Sequence, residues 1–296
     1  MQKNLARKKE KAIEFIMAGS SLVSVVTTLG IIFVLAVDSF KFFSEVSIIE
    51  FLTDKEWTPL FENKHFGIMP LLAGTLLTTV IACLVAVPLG ITIAVYLSEY
   101  ASKRFTSFAK PILEVLAAIP TVVYGFFALQ FVTPLLQKLI PGLSGFNALS
   151  PGIVMGIMIM PYITSLSEDA LRAIPNSLRE ASYGMGANRF QTAFKVMIPA
   201  ASSGIIVSVI LAVSRALGET MIVAIAAGQQ PNLTFNPLES VETITTYIIQ
   251  VSMGDVPQDS LEYRTIFAAG LVLFIFTFIL NIISFWVIKR FRQQYE

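Results

Sequence analysis

The chain has 296 residues, of which 55% are hydrophobic and only 14% charged, and its formal net charge is +1. Mean hydropathy is +0.72. Soluble domains carry about a quarter charged residues, which argues against an ordinary cytoplasmic enzyme, and so much apolar content excludes a disordered chain. With 17 Gly and 1 Cys, neither a collagen-like nor a disulfide-stapled protein fits, and near-neutral charge points to no nucleic-acid partner. An all-α polytopic membrane protein, solvated by lipid, remains.

A helical span needs about 20 mostly apolar residues. The first 12 residues are a basic tail with Lys3, Arg7, Lys8, Lys9 and Lys11. A first helix follows over residues 13–37. Its apolar run is too long for a signal-peptide h-region and lacks a clear A-x-A site, so it reads as an uncleaved anchor. Residues 38–66 read as an acidic outer loop holding Trp57 and Pro59, either a solvated cap or a surface that meets a partner. Residues 67–296 read as one core with five more helices. Their apolar runs are residues 65–98, 115–137, 139–167, 196–238 and 265–288, the fourth of these broken only by Arg215 and Glu219. No run alternates as a strand would, so six transmembrane helices are predicted and no barrel.

Lys and Arg set the sidedness. The tail, Lys103, Arg104 and Lys110, then Arg172, Arg179, Arg189 and Lys195, and finally Lys289, Arg290 and Arg292 fall on one side. Lys41, Lys55, Lys64, Lys138 and Arg264 fall on the other, among many acidic residues. Both termini are therefore expected to be cytoplasmic. A cytoplasmic loop runs over about 171–199 and an outer loop over about 228–262. Pro88, Pro111, Pro120, Pro134 and Pro161 interrupt or flank spans, a composition that suits a transporter whose helices rearrange.

Arg215 and Glu219 are the informative charges. With a helix starting near Pro199, Arg215 lies about 24 Å along it, inside the hydrocarbon, where a charge costs at least about 2.5–3.5 kcal/mol. It must then face a cavity or a protein partner. A spacing of four puts both side chains on one helix face, close enough to pair. One reading is an ion pair that locks packing. The other is an anion path, in which the guanidinium fork matches a tetrahedral oxyanion. The carboxylate would then accept the proton of a protonated anion and repel a fully deprotonated one such as sulfate.

The loop between the fourth and fifth spans contains Pro175-Asn176-Ser177, a helix start capped by Asn176 or Ser177. Glu180 is expected in its first turn, Gly184 and Gly186 at its end, and a second short helix from about Asn188 towards Pro199. This is a compact helical unit outside the membrane.

Within it, Glu180-Ala181-Ser182, Gly186 four residues after Ser182, nine residues to Val196 and then Ile198-Pro199 resemble the coupling loop of ABC importer permeases. The pattern of that family is E-A-A, three residues, G, nine residues, I-x-L-P. The chain departs at Ser182, where Ala is usual, and by apolar exchanges at Val196 and Ile198. Gly74-Thr75-Leu76, Pro88-Leu89-Gly90, Tyr96 to Tyr100, Ile119 to Gly125 and Ser214 to Thr220 look like phosphate-specific ABC transporter permeases, from about residue 67 to the C-terminus. Glu56-Trp57-Thr58-Pro59 resembles the C-type subunit of that heterodimeric permease more than the A-type.

The resemblance implies a type I ABC importer permease fold in a bacterial inner membrane. It also implies inorganic phosphate as substrate, an A-type permease partner, a phosphate-binding protein and two ATPase subunits that bind ATP and Mg2+. This chain itself would hold no cofactor. Arg215 and Glu219 would line the phosphate path, with Thr121 and Tyr124 as further hydroxyl donors, and Glu180, Ala181, Ser182, Gly186 and Pro199 would couple to the ATPases.

No Gly-Lys dipeptide occurs, hence no Walker phosphate loop. His65 and Cys83, each alone of its kind, cannot form a usual zinc site, and no G-x-S-x-G occurs. The neighbouring carboxylates Glu168 and Asp169 read as a solvated helix end or an ATPase contact. Three further readings stand beside the phosphate permease: a permease for sulfate, molybdate or phosphonate; an intramembrane enzyme, disfavoured by the missing motifs; and a sensor that reports phosphate status.

Overall fold

The computed structural model describes residues 2–291. The side chains of Lys3, Arg7, Lys8, Lys9 and Arg290, and all of Arg292, on which part of the sidedness rests, lie outside the described residues. The described chain is helical, and its only β-type contacts are two isolated bridges, Trp57 with Phe66 and Gly228 with Val241.

Helix α1 (Gln2–Glu45) is a single element. Its apolar part, Ile13–Glu45, is about 50 Å long, which exceeds a hydrocarbon core of about 30 Å. Helix therefore continues through residues 38–45, where the sequence suggested loop. Asp38 and Lys41 pair at 2.7 Å along it, and Phe42 is fully buried. α2 (Ile48–Thr53) follows. The rest of this outer region folds over an aromatic cluster of Phe42, Phe51, Trp57, Phe66 and Tyr247. Trp57 and Tyr247 meet edge to face at 5.0 Å, so the region carries a core of its own.

α3 (Met69–Val95) runs into a π-helical turn, Tyr96–Tyr100. α4 (Lys103–Ala118) is capped by Ser102, whose hydroxyl accepts the Phe105 amide at 3.2 Å. α4 is amphipathic and does not span. The third predicted span accordingly starts at Thr121, after Pro120 forces extended backbone, and not at residue 115. α5 (Thr121–Phe127), a π turn (Ala128–Val132) and α6 (Thr133–Leu139) make that span, and α7 (Leu149–Arg172) the next.

α8 (Asn176–Gly184) and α9 (Arg189–Thr192) form the loop unit. A π turn (Ala193–Met197) and α10 (Ile198–Ala200) lead to α11 (Ser202–Leu217), which turns 71° away from Arg189–Ala200. α12 (Met221–Ala226), α13 (Ile244–Met253) and α14 (Leu261–Phe291) complete the chain. Among the described residues, five helices are long and apolar enough to cross a membrane, and the bent pair can make a sixth.

α3 and α7 form the centre. Gly156 lets them close up: a Cβ there would sit 2.7 Å from Val85 Cβ and 2.8 Å from the Ala82 carbonyl. Ala82, Ala86, Met155, Met158 and Ile159 are buried around this contact. α11 packs on α7 through two fully buried hydroxyls, Ser167 and Ser208, 2.7 Å apart.

Candidate functional site

α11 ends at Leu217 and Gly218 follows it, so Glu219 is not on the Arg215 helix. The expectation of two side chains sharing one helix face fails for this reason. No ion pair within 4.0 Å joins them. Arg215 is exposed on the chain surface, about 20 Å along α11, and its guanidinium lies over the Tyr162 ring, 4.8 Å from the centroid. Glu219 is buried, 8% exposed. Its Oε1 accepts the amides of Met221 (3.2 Å) and Ile222 (3.4 Å), at the start of α12. Its own carbonyl accepts the Thr245 hydroxyl at 2.9 Å, which ties this turn to α13.

Thr121 opens α5, half-buried. One turn on, Gly125 packs against Ile225 and the Met221 carbonyl, so α5 leans on the segment that follows Glu219. The Tyr124 hydroxyl donates to the Leu116 carbonyl at 2.7 Å. Its proton is committed to the end of α4, which leaves Thr121 as the free hydroxyl of the two.

Tyr162 also lines a cavity of about 240 Å³ between α4 and α7, together with Lys110, Glu114, Ser165 and Glu168. Glu168 is not solvated, as its sequence context suggested: it is fully buried and pairs with Lys110 and Arg172. Lys110 also reaches Asp169 at 3.3 Å. The only sequence signal for this knot was the i,i+4 spacing of Glu168 and Arg172; Lys110 is too distant in sequence to be read.

In the loop unit, α8 begins after Pro175, which has no side chain to cap with. Asn176 is already helical, so Glu180 lies past the first turn. Glu180, Ala181 and Gly186 are exposed, as are Tyr183, Met185 and Phe190. Gly186 has φ +83°, a left-handed conformation that glycine adopts freely. Asn188 caps α9 in a reciprocal box with Gln191. Ser182 bonds the Thr192 hydroxyl at 2.9 Å and so joins the two short helices. Pro199 lies two residues before the bend at Ala201.

At the far end of the molecule His65 stands between Asp54 (3.0 Å) and Glu56 (3.6 Å). The Asp54 hydrogen bond holds the imidazole above its ordinary range. Burial pushes Asp54 up, but bonds from His65 and two backbone amides outweigh it and leave the carboxyl lowered. Glu242, just before α13, is 2% exposed with one carboxyl oxygen unpartnered, and burial raises it to about 8.

Broken apolar spans, an arginine exposed on one of them and a compact helical loop outside them are features of a membrane transport subunit. The chain belongs to the family described as binding-protein-dependent transport system inner membrane component, which its residues 86–295 match. It is therefore an ABC importer permease of the inner membrane, a class of subunit that lacks an ATPase site of its own. It is 35% identical to a Bacillus subtilis protein named as a probable ABC transporter permease, YqgH, over 93% of this chain and 89% of that one. It is 34% identical to the phosphate transport system permease protein PstC of Mesorhizobium japonicum, over 81% and 78% of the two chains. A Methanocaldococcus jannaschii protein named as a probable PstC is 32% identical over 89% and 90%. Among solved structures, a bacterial importer of alginate aligns with a TM-score of 0.66 over 96% of this chain and 99% of that one, at 16% identity. The MetNI methionine transporter in an inward-facing form aligns with a TM-score of 0.56 over 77% and 95%, also at 16% identity. These two share the fold.

Proposed function

We infer that the chain is the C-type permease subunit of an ATP-driven importer of inorganic phosphate, with both termini cytoplasmic. The observation that carries this reading is the exposed Arg215 on an otherwise uncharged helix. A charge at that depth cannot face lipid, so a second permease subunit must cover it, and the wet seam between the two subunits is the path. The similarity to PstC proteins supports phosphate as the anion. Arg215 offers the fork that binds a tetrahedral oxyanion. Glu219, four residues further along the chain, is the acceptor for the proton that phosphate keeps and sulfate lacks. Thr121 supplies a further hydroxyl.

A phosphate-binding protein delivers the anion at the α13 end. Two ATPase subunits, holding ATP and Mg2+, sit at the other, one of them gripping Glu180, Ala181 and the loop around Gly186. Their closure moves the helices around Arg215 and alternates access.

The test is ATP-dependent phosphate uptake by vesicles holding the whole complex and its binding protein. Saturable uptake that ignores sulfate and molybdate, and that collapses in Arg215→Gln, is expected. Block by sulfate would make the chain a general oxyanion permease, and full uptake by the variant would return Arg215 to a packing role. The A-type assignment within the same permease is tested by which partner gene product co-purifies.

A further inference from the structure

Next to the exposed Glu180 and Ala181, Arg179 turns inward. All five of its N–H donors are used. Nε donates to both oxygens of Glu99, at 3.3 Å each. Nη2 donates to Glu99 Oε1 (3.0 Å) and the Leu171 carbonyl (2.9 Å). Nη1 donates to the Ile174 carbonyl (3.0 Å) and to Asn176 Oδ1 (3.2 Å). Glu99 accepts the Ser98 hydroxyl as well, at 2.9 Å. The side chains are 16% and 6% exposed. Glu99 lies in the π turn that ends α3, and Leu171 in the last turn of α7.

We propose that the Arg179–Glu99 pair is a strut that makes α8 move as one body with the α3–α7 pair. This rests on the reading of the loop as the docking point of the ATPases. From α8 three routes lead into the membrane, the shortest being the link 173–175 back to α7. The forward covalent one passes the left-handed Gly186 and the 71° bend at Ala201, two joints able to absorb motion. It is stiffened across the loop by the neutral Ser182–Thr192 bond. The third route is the strut, a shielded and charge-assisted pair that resists separation. It adds a direct tie to the end of α3, whose glycine-mediated contact with α7 leaves no slack. Force on the loop thus reaches the centre of the molecule without first bending α11.

The experiment measures phosphate moved per ATP hydrolysed in the reconstituted complex. Arg179→Glu and Glu99→Arg should each lower that ratio about tenfold, and the double swap should recover most of it. A wild-type ratio in both single variants, or a swap no better than either, would overturn the strut. Should a reversal prevent assembly, Glu99→Cys with Arg179→Cys in a Cys83→Ala background, joined by a short thiol-to-thiol linker, gives an independent answer. A strut that persists through the cycle allows transport by the linked complex, and arrest on linking would refute it. Gly186→Pro separates the two levels of the argument. If it leaves the ratio unchanged along with Arg179→Glu, the coupling role of the loop falls and the strut with it. If it lowers the ratio while Arg179→Glu does not, only the strut falls.

Discussion

Tyr162 holds the guanidinium of Arg215 over its ring at 4.8 Å, while Glu219 bonds main-chain amides instead. The aromatic face stabilises the cation without using its N–H donors. Those donors stay available in the plane of the fork, where an oxyanion would bind.

Removing that ring should weaken capture more than turnover. Tyr162→Leu is expected to raise the KM for phosphate about 5- to 30-fold, the equivalent of a partly desolvated cation–π contact, with a smaller change in maximal rate. Arg215→Lys keeps the charge but loses the fork, and should transport worse than Tyr162→Leu. Uptake kinetics in vesicles read both.

Glu219→Gln keeps an oxygen for the Met221 and Ile222 amides, so the turn should hold and the complex should assemble. The repulsion of dianions disappears. Sulfate, inert towards the wild type, should now compete with phosphate uptake; continued indifference to sulfate would remove the discriminating role of Glu219.

Gly156→Leu would drive a side chain into Val85 and the Ala82 carbonyl. Overpacking of this kind costs about 1–3 kcal/mol or more. Thermal unfolding in detergent should show a lower midpoint, whereas Gly19→Leu, with nothing within 4 Å, should leave it unchanged.

The outer region should respond to pH through His65, which faces Asp54, Glu56 and Glu50. Its raised value means that its contribution is fully present below the ordinary histidine range and is lost as pH rises through the raised value. The lowered Asp54 contributes above the ordinary carboxyl range and is lost as pH falls through its lowered value. Wild type should therefore outlast His65→Gln at pH 6 and lose that advantage by pH 9, in thermal unfolding.

Glu242 works with the opposite consequence. Its carboxyl, raised to about 8 by burial, stays protonated at pH 6, and its ionisation erodes stability as pH climbs from the ordinary carboxyl range through 8. Glu242→Gln should match wild type near pH 4, begin to outlast it by pH 6 and unfold later still at pH 9.

Hydropathy made the spans legible, because a run of apolar residues has few other uses. The breaks were less legible. Gly218 ends α11 between two residues that look helical by spacing, and only the capping of α12 by the Glu219 carboxylate reveals why the chain turns there. In the same way α1 outruns its apolar stretch because Phe42 finds a seat among distant rings, Trp57 and Tyr247 included. The loop's caps and glycines located its two short helices, since spacing within one short segment survives folding, but they put Glu180 a turn too early. Arg179 could not be paired from sequence, because its partner Glu99 lies 80 residues away, beyond α4 to α7.

The two charges, one in the last turn of α11 and one just before α12, differ in how they are anchored. The carboxylate is fastened to the peptide backbone at two points, whereas the guanidinium rests on a ring at the end of a long, rotatable stem. Only the positive group can travel without the fold moving. An arriving anion would thus be met by a swinging cation and tested against a stationary acid, and the choice between anions would be made before any helix shifts.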